Sequence, residues 1–117
     1  MGRAQREKGK RGEREAAAEL AAVFTAATGR DVTGRRGVQY QGGQGSPDVV
    51  LDLPIHVEAK RTERLSLWAA VDQAKADAGD HVPIVWHRCN RRGSVVVIET
   101  ARLADLLRVV ADHRGAS

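Results

Sequence analysis

Aromatic residues, cysteine and long apolar runs are all scarce in this chain. Its 117 residues include one Phe, one Tyr and two Trp, so the core must be built from Val, Leu, Ile and Ala. The single cysteine, Cys89, excludes an intramolecular disulfide and a cysteine zinc site, which fits a reducing compartment. No apolar run approaches the length of a membrane span, and no apolar segment follows the basic N-terminus as in a secretory signal.

The size and charge of the chain indicate one basic domain. A length of 117 residues is close to the most common domain size, and 42% hydrophobic residues suffice for a modest core. The net charge is +4, and the basic residues cluster at 3–14, 35–36, 60–64 and 88–92. Clustered positive charge suits a polyanionic partner and favours nucleic acid over a merely solvated surface.

The first half of the chain predicts a helix followed by irregular, glycine-rich sequence. Residues 1–9 are polar and predict a flexible basic tail, whereas residues 12–27 place apolar side chains at helical spacing. Gly29 is a plausible helix stop. Residues 30–46 are rich in glycine, and three positions there are compatible with a short, irregular strand: Val32, Val38 and Tyr40.

The second half predicts alternating strands and helices. A short link through Pro54 favours an antiparallel hairpin of strands 48–53 and 55–60. A helix over 65–78, with Ser66 as N-cap, ends at Gly79. Strands at 82–87 and 94–99 lead into a last amphipathic helix capped by Thr100. The fold class is therefore α/β, a mixed β-sheet flanked by helices in the order α-β-β-β-α-β-β-α.

Two acids and a lysine stand out in the predicted hairpin. On a strand Glu58 and Lys60 point to the same face, and Asp48 on the neighbouring strand can reach the same point. Converging carboxylates and an ammonium suit a hydrolase that holds a divalent cation beside a phosphate. The alternative is an edge hairpin with Glu58 and Lys60 on a solvent-exposed face and no functional role. Asp52 lies on the same predicted strand face as Asp48 and competes with it as a ligand.

These residues resemble the PD-(D/E)XK nuclease superfamily. Pro47-Asp48 followed by Glu58-Ala59-Lys60 is similar to its central motif, and residues 9–13, running into a helix, are similar to the first helix of archaeal and phage Holliday-junction resolvases. The resemblance implies a restriction-endonuclease-like fold and a catalytic glutamate on that helix, best matched by Glu13, with Glu15 as a neighbouring candidate. Gln73 is similar to a glutamine that many relatives carry on the next helix.

The resemblance also implies a metal-dependent mechanism. Mg²⁺, which Mn²⁺ can replace, is expected on Asp48, Glu58 and the Ala59 carbonyl, with Glu13 binding a second ion or a water. Lys60 is expected to orient the attacking water or stabilise the transition state.

Gln73 is expected to position that lysine or water. His56 shares the predicted strand face of Glu58 and is more simply interpreted as a partly exposed strand residue. The basic residues expected to contact DNA phosphates are Lys10, Arg11, Arg35, Arg36, Arg61 and Arg64.

The implied function is a structure-specific DNA endonuclease of recombination and repair that cuts four-way junctions. Because a junction needs paired cuts and each domain carries one site, a homodimer is expected. The Ala-, Gly- and Arg-rich composition suggests the cytoplasm of a bacterium or of a phage-infected host. The alternatives are another nuclease of the superfamily (nicking, restriction-like or repair) and a non-catalytic DNA-binding protein that keeps the fold.

Overall fold

A mixed five-stranded sheet flanked by three helices makes up the fold, in the order expected from the sequence. The computed structural model describes residues 3–37 and 47–115. The elements are α1 (Arg3–Thr28), β1 (Gly34–Arg36), β2 (Val49–Leu51), β3 (Ile55–Arg61), α2 (Leu67–Asp77), β4 (Val82–Arg88), β5 (Val95–Val97) and α3 (Thr100–Asp112).

The strands lie side by side in chain order, β1-β2-β3-β4-β5. All neighbours pair antiparallel except β3 and β4, which are parallel and are joined through α2. The predicted antiparallel hairpin is confirmed as β2–β3. Because β3 and β4 are interior strands, their side chains are covered on both faces, as their nearly continuous apolar sequences require.

The helices divide between the two faces of the sheet. On one face, α1 and α3 cover a cluster centred on the fully buried Trp86. On the other face, a smaller cluster joins Ala70, Val71 and Ala74 of α2 to Val85. Since residues alternate along β4, Trp86 and Val85 point to opposite faces, and each helix layer has its own apolar contact with the sheet.

The helix α1 packs close to the sheet because small residues line its inner side. Ala16 and Ala17 are buried there. A Cβ added to Gly34 would lie 2.6 Å from the Ala17 carbonyl oxygen, and one added to Gly12 would lie 2.7 Å from the Cβ of Arg61. Only glycine permits these two approaches, which bring the middle of α1 against β1 and against the end of β3.

Several element boundaries differ from the sequence prediction. The first helix begins at Arg3, so residues 3–9 are helical rather than a tail, because Arg, Gln, Glu and Lys are strong helix formers that outweigh Gly9. The strands predicted at 48–53 and 94–99 are shorter, at Val49–Leu51 and Val95–Val97. A short, irregular strand was predicted at Val32, Val38 and Tyr40. Val32 precedes β1, and the other two residues lie outside the described residues.

Helices α1 and α2 end at the glycines predicted to terminate them. The N-cap residues of α2 and α3, by contrast, make no side-chain hydrogen bonds to the helix. Gly29 and Gly79 have φ of 72° and 58°, the left-handed conformation that terminates a helix. Ser66 is the N-cap of α2 but makes no side-chain capping bond. The prediction that Thr100 caps α3 is wrong, since Glu99 occupies the N-cap and Thr100 is the first helical residue. No helix within 3–37 and 47–115 is long and apolar enough to cross a membrane.

Candidate active site

Asp48 and Glu58 meet across the β2–β3 hairpin. Val49 pairs with Val57, so Asp48 and Glu58 occupy the next cross-strand position. The backbone N–H of Asp48 donates to the Val57 carbonyl at 3.0 Å, and the N–H of Ala59 donates to Oδ2 of Asp48 at 2.9 Å. The carboxyl groups of Asp48 and Glu58 also share a hydrogen bond. The two halves of the sequence motif are therefore joined directly.

Gly37 holds the start of this hairpin in place. Its N–H donates to the Asp48 carbonyl at 2.8 Å, which ties the end of β1 to the residue before β2. A Cβ at this position would stand 2.1 Å from the Pro47 carbonyl oxygen. No side chain fits there without moving the backbone, so this glycine sets the position of the Pro47-Asp48 pair.

The electrostatic environment of Asp48 resembles that of a cation site. Burial, and after it the charge of Glu58, raises the pKa of Asp48 to about 7, against the lowering effect of the Ala59 hydrogen bond. The charge of Glu13 acts in the same direction as that of Glu58. Asp48 therefore keeps its proton up to near neutral pH, and a bound dication would replace that proton.

Glu58 is deeply buried. It is 2% exposed, on an interior strand, which rules out the alternative of an edge hairpin with a wet charged face. Strand alternation places Lys60 on the same face of β3, and the structure brings this lysine to α2, where its Nζ donates to Oε1 of Gln73 at 3.2 Å. The lysine is thus bound to α2 from the strand face that also carries Glu58.

Glu13 reaches the edge of the site from α1. Its Oε1 accepts a hydrogen bond from Nε of Arg36 at 2.9 Å, while its charge also acts on Asp48. Arg36, which was expected to contact DNA, is therefore paired with Glu13, which was expected to bind metal. If Glu13 binds a cation, its ion pair with Arg36 must break or Glu13 must contact both partners.

His56 and Asp77 complete the buried surroundings of Glu58. Nε2 of His56 lies 2.9 Å from Oε1 of Glu58, and His56 is 3% exposed, so the prediction of a partly exposed residue is wrong. Donor atoms of His56, Glu58 and Asp77 all lie within 4.8 Å of one another. The sequence carried a signal for this group, because Asp77 follows Gln73 by four residues and shares its helix face.

Two acids that competed for the site in the sequence lie elsewhere. Asp52 follows the other end of β2, about 13 Å along the strand direction from Asp48. It accepts hydrogen bonds from the Thr33 N–H and from Arg30. Glu15 binds Arg61 at 2.9 Å and also Arg88, and these hydrogen bonds lower the pKa of its carboxyl group despite its partial burial.

Basic side chains lie around Lys60 at the C-terminal end of β3. A groove of about 450 Å³ runs past Lys8, Lys60 and Arg61, and a second of about 210 Å³ joins Lys60 to Arg64. Of the basic residues expected to contact DNA, Lys10, Arg11, Arg35 and Arg64 are exposed. Arg61 is instead held by Glu15 and Asn90, so its guanidinium supports the structure.

The donor set fits a hard divalent cation. Asp48 and Glu58 supply adjacent carboxylate oxygens, which Mg²⁺ and Mn²⁺ prefer. The neighbouring imidazole of His56 adds a nitrogen that suits Mn²⁺ better than Mg²⁺. No family model, curated protein or solved structure matches this chain.

Proposed function

We propose that the protein is a metal-dependent endonuclease that hydrolyses DNA phosphodiester bonds, with branched four-way junctions as its preferred substrate. The observation that carries the proposal is the hydrogen-bonded pair of Asp48 and Glu58 with Lys60 on the same strand face. A protein that only binds DNA gains nothing from two carboxylates buried side by side, which repel each other and the phosphate backbone.

Asp48 and Glu58 would hold the cation, with the Ala59 carbonyl and Glu13 as further ligands. When bound, Mg²⁺ or Mn²⁺ supplies positive charge beside the scissile phosphate and makes water more acidic. The backbone N–H of Ala59 donates to Oδ2 of Asp48 and so fixes the orientation of this carboxyl group. Glu58 contributes from the interior of the sheet, where β3 cannot move independently of β4.

Lys60 acts on the phosphate rather than on the cation. Its ammonium group is positioned by Gln73 and opens on the basic grooves, where a DNA strand can approach. In that position it stabilises the negative charge that grows on the phosphate or orients the attacking water. The exposed residues Lys10, Arg35 and Arg64 supply phosphate contacts that fix the register of the strand without reading its sequence.

The test is cleavage of a panel of labelled DNAs: four-way junctions, flaps, nicked duplexes and linear duplexes. Wild type is expected to cut junctions with Mg²⁺ or Mn²⁺ and to be inactive with a chelator. Asp48→Asn is expected to bind junctions normally and not to cut them, whereas Asp52→Asn, an acid at the other end of β2, retains cutting. Equal cutting of linear duplex would indicate a different nuclease of the same kind. Normal binding without any cutting by wild type would indicate a DNA-binding protein.

A further inference from the structure

A histidine and two carboxylates meet between β3 and α2. Nε2 of His56 lies 2.9 Å from Oε1 of Glu58, and one donor atom each of His56, Glu58 and Asp77 lies within 4.8 Å of the others. His56 and Glu58 are deeply buried, whereas Asp77 is partly exposed. We call these three residues the β3–α2 cluster. Glu58 also belongs to the carboxyl pair with Asp48, so the two groups of side chains share one residue.

Regular structure brings the three side chains of the cluster together. His56 and Glu58 are two residues apart on β3, so they point to the same face as Lys60, which contacts Gln73 of α2. Asp77 follows Gln73 by one helical turn. Because β3 and β4 are parallel, α2 runs back along β3 and carries Asp77 toward His56. The cluster is therefore held by an interior strand and by the helix that covers it.

The spacing of the donor atoms suits a four-coordinate dication. Zinc–ligand bonds of about 2.0 to 2.2 Å in tetrahedral geometry place the ligand atoms about 3.4 Å apart. The contact between His56 and Glu58 is shorter than this separation, and the 4.8 Å limit of the whole cluster is longer. Binding therefore needs shifts on the order of 1 Å, which fall mainly on Asp77 as the least buried member. A water molecule can complete the coordination on its exposed side.

The surroundings of Asp77 leave its carboxylate available as a ligand. In the part of the chain that the structure describes, 3–37 and 47–115, no side chain forms an ion pair or a hydrogen bond with this carboxylate. It nevertheless lies close to the buried carboxylate of Glu58, and two such groups repel each other when both are ionised. An ion between them removes this repulsion. An imidazole nitrogen with two carboxylate oxygens is a donor set for Zn²⁺, whereas Mg²⁺ prefers oxygen alone.

We propose that the β3–α2 cluster binds Zn²⁺ at a site distinct from the Mg²⁺ or Mn²⁺ position at Asp48, with Glu58 shared between the two sites. His56 offers the Nε2 atom that faces Glu58, and each carboxylate offers one oxygen. The ion replaces the hydrogen bond between Nε2 and Oε1 with two metal–ligand bonds. Because the three residues converge only when α2 packs on β3, Zn²⁺ binds the folded chain and stabilises it.

The position of this ion also bears on the proposed function, and this consequence alone rests on that function. Gln73 accepts a hydrogen bond from Lys60 at 3.2 Å, and Asp77 lies one turn further along the same helix. An ion that fixes α2 to β3 at Asp77 therefore also fixes the helix turn that holds the lysine. Zn²⁺ at the β3–α2 cluster is a structural ion for the site and does not contact the scissile phosphate.

Zn²⁺ binding by the metal-free full chain, measured without DNA by competition with a chromophoric chelator, tests the proposal. Wild type is expected to bind Zn²⁺ and to melt at a higher temperature with it. Asp77→Asn is expected to weaken binding at least about 100-fold and to abolish the rise in melting temperature. Asp72→Asn, which alters an exposed acid of the same helix, is the matched control and should bind as wild type does. Asp48→Asn should also retain Zn²⁺ binding.

Imidazole ¹⁵N spectra identify the nitrogen ligand. The chain has four histidines, so each can be followed separately. Zn²⁺ is expected to shift the ring nitrogens of His56 and to leave the other three in place. A shift at another histidine instead of His56, or wild-type affinity in Asp77→Asn, would overturn the proposal.

Loss of Zn²⁺ binding in Asp48→Asn would overturn the proposal as well, because it would place the ion at the carboxyl pair. Circular dichroism establishes that each variant is folded. None of these measurements involves DNA, so failure of the zinc site and failure of the nuclease proposal remain distinct results.

Discussion

Oδ2 of Asp48 lies 2.9 Å from the backbone nitrogen of Ala59, so the two parts of the motif are joined by a hydrogen bond across the hairpin. This contact holds Asp48 next to Glu58, and it partly offsets the effect of burial on the pKa of Asp48. The fold therefore keeps two carboxyl groups together at a cost in stability when both are ionised. The stability of the metal-free protein should reveal that cost.

We expect the metal-free protein to lose stability as the pH rises from about 4 to about 7. The pKa of Asp48 is raised in the folded state from its ordinary value near 3.8 to about 7, so the folded chain binds more protons than the unfolded chain between these values. The free energy of unfolding then falls with rising pH, by at most about 4 kcal/mol. Urea unfolding in the presence of a chelator, repeated across this range, measures the slope.

Asp48→Asn should reduce the dependence of the unfolding free energy on pH and stabilise the metal-free protein at neutral pH. The asparagine carries no charge, so the repulsion between position 48 and Glu58 is removed. Glu15 and Asp52 do not interfere, since the pKa values of both are lowered and their contributions change only at more acidic pH. Asp52→Asn serves as the control and should retain the wild-type slope above pH ~5. An unchanged slope in Asp48→Asn would contradict the coupling of Asp48 to Glu58.

The contact between His56 and Glu58 should matter for cation binding. His56→Leu removes the hydrogen-bond partner of a buried carboxylate and is expected to cost roughly 1 to 3 kcal/mol of folding stability. It is also expected to weaken Mn²⁺ binding by about 10- to 100-fold, because Glu58 is no longer held in one orientation. Mn²⁺ binding is followed by electron paramagnetic resonance in the absence of DNA.

His56→Gln distinguishes orientation from direct ligation. The amide of glutamine can donate to Oε1 of Glu58 and so restore most of the affinity if the imidazole only orients the carboxylate. If His56 is itself a ligand together with Asp77, His56→Gln should bind Mn²⁺ as weakly as His56→Leu does. Equal and undiminished affinity in both variants would show that His56 has no part in the site.

Lys60 should affect the rate of cutting far more than binding. Lys60→Met keeps the length of the side chain and removes the charge, and we expect cleavage to slow by about 100- to 1,000-fold with junction affinity nearly unchanged. Gln73→Leu leaves the lysine without its partner at 3.2 Å and should slow cleavage by about 10-fold. Single-turnover cleavage and gel-shift titrations measure the two effects. A larger loss in Gln73→Leu than in Lys60→Met would contradict these roles.

The exposed and the paired arginines should behave differently. Arg35→Ala is expected to weaken DNA binding. It should also reduce the slope of log K against log salt concentration by about 1, because one phosphate contact is lost. Arg61→Ala removes the partner of Glu15 and should lower the melting temperature as well. Binding titrations at several salt concentrations, together with thermal melts, separate these outcomes. Equal effects of the two variants on stability would contradict the assignment.

The order of elements and the hairpin could be predicted from the sequence because they depend on local patterns. Glycines at 29 and 79 end helices, and the short link at Pro54 permits only an antiparallel return. Helix faces were less predictable. Val23 continues the apolar spacing of α1 and yet is exposed, because the sheet covers only the side that carries Ala16 and Leu20. Trp68 and Trp86 look alike in sequence, and only the layer packing makes one exposed and the other buried.

The sequence by itself determined which chemical groups are present and that Glu58 and Lys60 share a strand face, since alternation is a property of the strand. Strand alternation alone left Asp48 and Asp52 equivalent, since both fall on one face, and only the resemblance of Pro47-Asp48 to the nuclease motif favoured Asp48. The tertiary structure separated them: β2 ends before Asp52, which turns to Arg30, while Asp48 is held by Ala59 and Glu58. The burial of His56 beside Glu58 was decided in the same way, since burial depends on which elements pack above a strand and not on its own sequence.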